Sequence, residues 1–282
     1  MSQDCLKISN IVSKSVQINS RLSQNELKLS ESCPKGASRE AWAREFRYKI
    51  LLNELPSDGI LLTGHHQDDQ AETLLLQVVR GAGSRGLSAM PLMRKREKNW
   101  HARPLLKISR NQILEYANDH GLKWIEDDSN RDIDYDRNFF RHEIIPALRK
   151  RWPGISKTMA RVSAHQAEVS SLLDEIADDD LLQCIGETGG KISIEKITGL
   201  SYPRQVNVIR YWIRSQNLPV PGDKKIKQIL HSLIPAKPDA IPQVDWGDCE
   251  VRRYQQFLYT CQPSTGFNTN TIIDWKLDSP CQ

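Results

Sequence analysis

The 282 residues are enough for two domains of about 150 residues each, and they carry a formal net charge of +4 at pH 7. No apolar run reaches the about 18 residues that a membrane-spanning helix needs, and Met1–Cys5 has neither the basic nor the apolar region of a signal peptide. We therefore expect a cytoplasmic protein with no membrane partner.

The six cysteines and the basic segments give weak signals. The cysteines form no C-x-x-C pair, so the sequence predicts neither a zinc site nor a disulfide framework. Basic residues concentrate at 94–98, 149–151 and 224–227, where they could meet phosphates. Such segments usually form solvated surface, and together they leave a nucleic-acid partner open.

The first part of the chain alternates helical and strand patterns. A helix to about Ser13, a strand at 16–18, a helix at 38–55 and an apolar strand at 59–63 follow one another. This alternation predicts an α/β fold with a parallel sheet. Only two convincing strands precede residue 100, fewer than a parallel sheet needs to protect its edges. We therefore expect an incomplete sheet domain whose first unit is missing.

A dense polar cluster follows the strand at 59–63. It contains His65, His66, Asp68, Asp69 and Glu72, at the carboxyl end of a strand and the amino end of a helix, where open α/β sheets bind ligands. Asp68 is predicted to cap the helix. The cluster could also be a capping group alone, because acids favour the first helical turn.

Three of these acids are spaced for one helical face. Asp69 and Glu72 are three residues apart, and Asp68 and Glu72 are four apart. Carboxylates at such short spacing repel one another, and a nearby cation is needed to offset this repulsion. An ammonium, a metal or an arginine would serve, and the sequence alone does not choose among them.

Residues 81–86 match the G-x-G-x-x-G pattern but follow a helix instead of a strand, so the dinucleotide-binding interpretation lacks its context. Three glycines beside Arg80 and Arg85 instead predict a mobile, basic lid over a substrate. Ser109 is then predicted to cap a helix that ends at Gly121.

A second polar segment, 124–143, interleaves acids with arginines before an apolar helix. Arg137 and Arg141 are four residues apart, so they share one helical face and could dock a phosphate. The segment could also be a polar loop whose Asp136 and Arg137 cap the following helix.

The pattern changes near residue 150. A long amphipathic helix is predicted over 155–176, followed by helices at 206–213 and after Asp223, and by a β-hairpin at 243–259 around Gly247. The expected domains are 1–150, 151–262, and a linker or tail at 263–282.

Five motifs in order resemble those of the bacterial tRNA(Ile)-lysidine synthase family. They are His65–Thr73, Arg80–Met90, Arg103–Leu106, Trp124–Asn130 and Asp136–Phe139, and the resemblance extends to Arg252-Arg253-Tyr254. It implies an N-type ATP pyrophosphatase (PP-loop) domain of the adenine nucleotide α-hydrolase-like fold. A mainly α-helical substrate-binding domain with a small hairpin would follow.

The resemblance also implies a reaction. The family uses ATP and Mg²⁺ to adenylate C2 of the wobble cytidine in tRNA(Ile) with a CAU anticodon, and free L-lysine then displaces AMP. Asp69 and Glu72 match the acids that hold lysine, and Arg137 matches an arginine near the ATP phosphates. Further residues expected near the substrate or nucleotide are His65, His66, Asp68, Arg80, Arg85, Asp127, Asn130 and Arg141.

The sequence departs from the family at one motif. The Ser-Gly-Gly-x-Asp-Ser loop, whose backbone N–H groups cradle the ATP pyrophosphate, does not occur among the 282 residues. We also expect the family's C-terminal tRNA-recognition domain to be absent. The resemblance therefore implies weak or no ATP turnover by this chain alone. The expected protein partner is either a second copy of the chain in a homodimer or a separate polypeptide that supplies the missing loop.

Two other functions remain open at this point. The chain could be a non-catalytic tRNA-binding or partner module that kept its substrate domain. It could also be a metal-dependent phosphohydrolase that uses His65, His66, Asp68 and Asp69 as ligands.

Overall fold

A computed structural model describes residues 39–124, 132–186, 190–237, 240 and 242–261. The chain divides into two compact units between Val169 and Ser170. Among the described helices, none is both long and apolar enough to cross a membrane. The predicted helix before residue 13 and the strand at 16–18 lie outside the described residues.

The first unit is built from helices around a small sheet. In chain order its elements are α1 (Arg39–Asn53), β1 (Ile60–Leu62), α2 (Gln67–Val79), α3 (Ser84–Leu87), β2 (Met93–Arg96), β3 (Asn99–Ala102), α4 (Arg110–Asp119), α5 (Asp136–Phe139), a π-helix (Phe140–Ile144), α6 (Ile145–Arg151) and the start of α7 (Ile155–Cys184). The predicted strand–helix pair around the polar cluster is confirmed as β1 and α2.

The described sheet of this unit is mixed, with strand order β1-β3-β2. Strand β1 pairs in parallel with β3, with Leu61 opposite His101, whereas β2 pairs antiparallel with β3. The hairpin of β2 and β3 was not predicted from the sequence. Its consequence for the site is that Thr63 follows β1 directly beside the end of β3, where its N–H donates to the carbonyl of Ala102 at 3.1 Å.

Helix α4 forms as its end signals predict. Ser109 Oγ accepts from the backbone N–H of Gln112 at 3.3 Å, and Gln112 Oε1 accepts in return from the backbone N–H of Ser109 at 3.0 Å. This reciprocal capping box satisfies two donors that the helix start would leave unpaired. Gly121 lies just beyond the helix with φ +60°, a left-handed conformation that favours glycine.

The second unit packs helices against an antiparallel sheet. It contains the end of α7, then β4 (Ile192–Ser193), α8 (Ile194–Thr198), α9 (Tyr202–Ser215), α10 (Asp223–Gln228), a second π-helix (Ile229–Leu233), β5 (Gln243–Trp246), β6 (Cys249–Tyr254) and β7 (Phe257–Cys261). The sheet order is β4-β7-β6-β5. The predicted hairpin around Gly247 is confirmed as β5 and β6, and β7 adds a strand to it.

One face of α9 supplies the core of the second unit. Val208, Ile209, Trp212 and Ile213 are fully buried there and belong to one cluster with residues of the sheet strands. The indole Nε1 of Trp212 donates to the carbonyl of Gly190 at 3.0 Å, which satisfies its polar atom. The predicted long amphipathic helix is confirmed as α7, which runs for 30 residues.

Candidate active site

The polar cluster lies where β1 ends and α2 begins. His66, not Asp68 as predicted, is the N-cap of α2. Asp69 Oδ2 accepts from the backbone N–H of His66 at 2.9 Å, and His66 Nδ1 accepts from the backbone N–H of Asp69 at 3.4 Å. Asp69 lies at the third helical position, where a carboxylate can close this box, and Asp68 is left to make other contacts.

Asp69 and Glu72 share one face of α2, as their spacing predicts, and their cations are two arginines. Arg137 donates from Nε to Glu72 Oε2 at 2.7 Å and from Nη2 to Asp69 Oδ1 at 3.0 Å. Arg141 donates from Nε to Glu72 Oε1 at 2.6 Å and from Nη2 to Glu72 Oε2 at 2.9 Å and Asp69 Oδ1 at 3.1 Å. We call these four residues the acid–arginine cluster.

The acid–arginine cluster is buried and electrically balanced. The Glu72 side chain is 1% exposed, and two carboxylates face two guanidiniums. Burial alone would lower the pKa of Arg141, but its hydrogen bond to Glu72 and the charges of Glu72 and Asp69 raise it. Because bidentate guanidinium–carboxylate pairs are strong and geometrically specific, the cluster fixes α2 against α5 and the π-helix that follows.

Asp68 has a separate set of partners. It accepts from the backbone N–H of Arg110 at 3.0 Å and from Ser156 Oγ at 2.7 Å, and it forms an ion pair with Arg149. Burial raises its pKa, but the two hydrogen bonds and the charge of Arg149 outweigh burial, so the pKa lies below the usual range of an aspartate. Asp68 therefore joins the starts of α2, α4 and α7, and its charge is balanced independently of Glu72.

A chain of hydrogen bonds connects the ends of β1 and β3. Thr63 Oγ1 lies 2.8 Å from His65 Nδ1 and 3.0 Å from His101 Nε2, and Arg103 Nη2 lies 3.3 Å from His101 Nδ1. Since a guanidinium can only donate, His101 Nδ1 is the acceptor, and His101 Nε2–H is left to donate to Thr63. Thr63 can then donate its own hydroxyl proton to His65.

His101 is held neutral. Its side chain is buried, and burial followed by the charge of Arg103 lowers its pKa to about 4. His101 was not singled out from the sequence. Its position two residues before the Arg103-Pro104-Leu105-Leu106 motif was the one available signal.

The remaining predicted site residues lie elsewhere. Arg80 is the C-cap of α2, 11 residues and about 16 Å along the helix axis from Asp69. Arg85 is exposed in α3. Asp127 and Asn130 fall outside the described residues.

The segment predicted as a glycine-hinged loop contains a short helix, α3, at Ser84–Leu87. Gly81 has a left-handed φ of +67°, which fits a turn after α2. At Gly86, by contrast, an added Cβ would lie 2.6 Å from Ala82 Cβ. Gly86 therefore permits a close approach to Ala82.

The four residues predicted as metal ligands are not assembled as one set. His65 contacts Thr63, His66 and Asp69 form the capping box, and Asp68 pairs with Arg149. Among the residues that the structure describes, no group of three or more His, Cys, Asp or Glu side chains is placed to hold a metal ion.

Comparison with known proteins assigns both parts of the chain. Residues 2–148 match the PP-loop domain family, and residues 192–259 match the TilS substrate-binding domain. The first match covers more than half of the 282 residues.

Similar full-length proteins carry one name. The tRNA(Ile)-lysidine synthase of Coxiella burnetii is 40% identical over 241 residues, which is 86% of this chain and 53% of the relative. The protein of that name from Legionella pneumophila strain Paris is 38% identical over 242 residues, and that from Escherichia coli O157:H7 is 40% identical over 241 residues. Each match covers 86% of this chain and 56% of the relative. The chain thus spans about half the length of the curated relatives it matches. Strand β1 and helix α2 place the polar cluster at a strand end, and a unit with several helices follows in the chain. On the family matches, the chain belongs to the PP-loop domain family and carries a TilS substrate-binding domain.

Proposed function

We propose that this protein acts in tRNA modification, as an ATP-dependent ligase that joins lysine to C2 of the wobble cytidine of tRNA(Ile). The observation that carries the proposal is the identity of about 40% to tRNA(Ile)-lysidine synthases over 86% of the chain, across both family matches in order. The proposed partners are tRNA(Ile) with a CAU anticodon and free L-lysine. The cytoplasm, where tRNA and lysine are both present, is the proposed compartment.

The acid–arginine cluster supports a role in holding lysine. Asp69 and Glu72 together accept five hydrogen bonds from Arg137 and Arg141. A lysine ε-ammonium carries three donors and the same charge as a guanidinium. It can replace one arginine at the two carboxylates without changing the charge balance. Such an exchange would release an arginine, which could then stabilise negative charge on an activated cytidine or a leaving phosphate.

The described residues do not fit Mg²⁺. The hard oxygen ligands that this ion prefers would be Asp68, Asp69 and Glu72, and each already accepts from a guanidinium. The sequence also lacks Ser-Gly-Gly-x-Asp-Ser. ATP is proposed as the co-substrate on the PP-loop match, and no step is assigned to Mg²⁺ among these side chains.

A second candidate is a tRNA-binding module without catalysis. The balanced acid–arginine cluster favours it, because with both guanidiniums in place the carboxylates have no net charge left to attract an ammonium. This candidate requires tRNA binding that weakens with salt and no incorporation of lysine.

The test measures transfer of radiolabelled lysine to a tRNA(Ile) transcript with ATP. The chain is assayed alone and together with a second polypeptide that contains a Ser-Gly-Gly-x-Asp-Ser loop. Glu72→Gln is compared with Glu115→Gln, which changes an exposed glutamate. We expect ATP-dependent lysine in tRNA with the added loop, its loss when the wobble C is changed to U, and a loss with Glu72→Gln only. Salt-dependent tRNA binding without lysine transfer in either mixture would refute ligation and establish the second candidate.

A further inference from the structure

A groove in the first unit is lined by none of the four residues of the acid–arginine cluster. Its volume is about 370 Å³, within the range of about 300–1,000 Å³ that small-ligand sites occupy. Its apolar wall is lined by Met90, Leu92 and Leu106. On the side of α7 the lining consists of small side chains, those of Ala160, Ala164 and Ala167. These alanines are spaced at i, i+4 and i+7, so they form one continuous helix face on which a flat group can lie.

The charged residues of the groove are all cations. Lys107, Lys157 and Arg161 line it with exposed side chains, and no acid does. Within the described ranges, none of the three forms an ion pair with a carboxylate. Lys157 also lies in the first turn of α7, where the helix dipole disfavours positive charge. The charge of Lys157 therefore does not stabilise the start of the helix, and the three cations together give the groove a positive charge that could meet an anion.

The segment that forms the apolar wall is fixed by side chains from elsewhere in the unit. The amide of Gln70 donates to the carbonyl of Met90 and accepts from its N–H, both at 3.0 Å. Arg103 Nη1 donates to the carbonyl of Pro91 at 2.9 Å, and Ala89 has φ +50°. A non-glycine residue in the left-handed region is a strained turn that the surroundings must hold. The wall is thus pre-formed, which lowers the entropy lost on binding.

An unpaired hydroxyl lies on the α7 side. Ser163 is fully buried and lines the groove, and its Oγ has no hydrogen-bond partner among the residues that the structure describes. Buried hydroxyls are nearly always paired, so Ser163 is an exception beside the groove.

We propose that this groove binds a nucleotide of single-stranded RNA, with the base between the apolar wall and the alanine face and the flanking phosphates on Lys107, Lys157 and Arg161. An apolar slot bordered by cations is the arrangement that binds single-stranded nucleic acid, and the guanidinium of Arg161 can stack on a base where no aromatic ring is present. The choice of RNA over another polyanion rests on the proposed function. Binding itself requires neither ATP nor lysine.

The first test is binding of a fluorescein-labelled, single-stranded 12-nucleotide RNA, followed by fluorescence anisotropy over a series of salt concentrations. The double variant Lys157→Gln/Arg161→Gln is compared with Lys98→Gln/Lys123→Gln, which removes two exposed cations outside the groove. Each lost phosphate contact lowers the slope of log K against log[salt] by about 0.7, so two contacts lower it by about 1.4 and weaken binding about 25-fold at 0.1 M salt. Equal slopes in the two double variants would overturn the proposal.

The second test fills the groove without changing charge. Ala164→Trp blocks the alanine face, whereas Val162→Trp places the same ring on an exposed position of α7 outside the groove. We expect weaker RNA binding with Ala164→Trp only. Equal affinities in the two variants, or competition by AMP or an acidic peptide that exceeds competition by unlabelled RNA, would overturn the proposal. Lysine transfer that fails while these RNA results hold would refute the proposed function alone.

Discussion

Glu72→Gln tests whether the acid–arginine cluster stabilises the first unit. The variant keeps the shape of the side chain and removes one charge from a residue whose side chain is 1% exposed. Three hydrogen bonds from Arg137 and Arg141, of 2.6 to 2.9 Å, lose their charged acceptor. Removing one partner of a buried ion pair typically costs about 3–5 kcal/mol. The Arg141 side chain is 22% exposed, and water can partly solvate it, so we expect a loss of about 3 kcal/mol.

Urea-induced unfolding, followed by far-UV circular dichroism, measures this loss. With a slope of about 2 kcal/mol per M, a loss of 3 kcal/mol lowers the midpoint by about 1.5 M. Glu115→Gln is the matched control, because Glu115 is exposed. The double variant Glu72→Gln/Arg141→Gln restores the charge balance, so its loss should be smaller than the sum of the two single losses. A midpoint of Glu72→Gln within about 0.3 M of the control would show that the cluster contributes little.

Three further changes test other parts of the first unit. The pKa of Asp68 is lowered in the folded state, so the contribution of its charged form to the free energy of unfolding is present above about pH 4 and is lost as pH falls through the folded pKa. The difference in stability between the wild type and Asp68→Asn, measured by urea unfolding, should therefore shrink between pH 5 and pH 2. The folded pKa of His101 is about 4, below the about 6.5 of an unfolded histidine, so its contribution should be lost as pH falls from about 6.5 to about 4. Titration of the His101 ring protons by NMR checks this, and an ordinary midpoint near 6.5 would refute it. Gly86→Ala would place a Cβ 2.6 Å from Ala82 Cβ and should lower stability by about 1–3 kcal/mol, whereas Gly64→Ala, with no atom within 4 Å of the new Cβ, should not; equal melting temperatures of the two variants would contradict this reasoning.

Elements with local signals were predictable from the sequence. Ser109 and Gly121 mark the ends of α4 with side-chain and backbone preferences that act within a few residues. Gly247 marks the turn between β5 and β6 in the same way. The strands β2 and β3 carry no such signal, because they include Arg94-Lys95-Arg96 and turn through Glu97 at φ +50°, a position where a glycine or asparagine would have indicated a hairpin.

The candidate site was predictable in parts but not as an assembly. The spacing of Asp69 and Glu72 predicts that they share a cation, and the spacing of Arg137 and Arg141 predicts one cationic face. The two arginines are the cations for the two acids only because the chain folds so that residues 65 to 72 positions apart come into contact. No local sequence pattern predicts such a contact. Asp68 and Arg149 lie 81 positions apart, and no local pattern predicts their ion pair either. The sequence spacing therefore groups Asp68 with Glu72, whereas in the structure its partner is Arg149.

The long sequence separation in the acid–arginine cluster bears on how the protein is made. Glu72 leaves the ribosome 65 residues before Arg137, an interval of about 3 to 13 s at about 5–20 residues per second. During that interval the two carboxylates lack Arg137 and Arg141, the guanidiniums that pair with them in the folded protein, and burial of Glu72 without them is disfavoured. We therefore expect helix α2 to dock only after residue 141 has emerged. Any product that terminates earlier would keep this helix solvated and open to proteases.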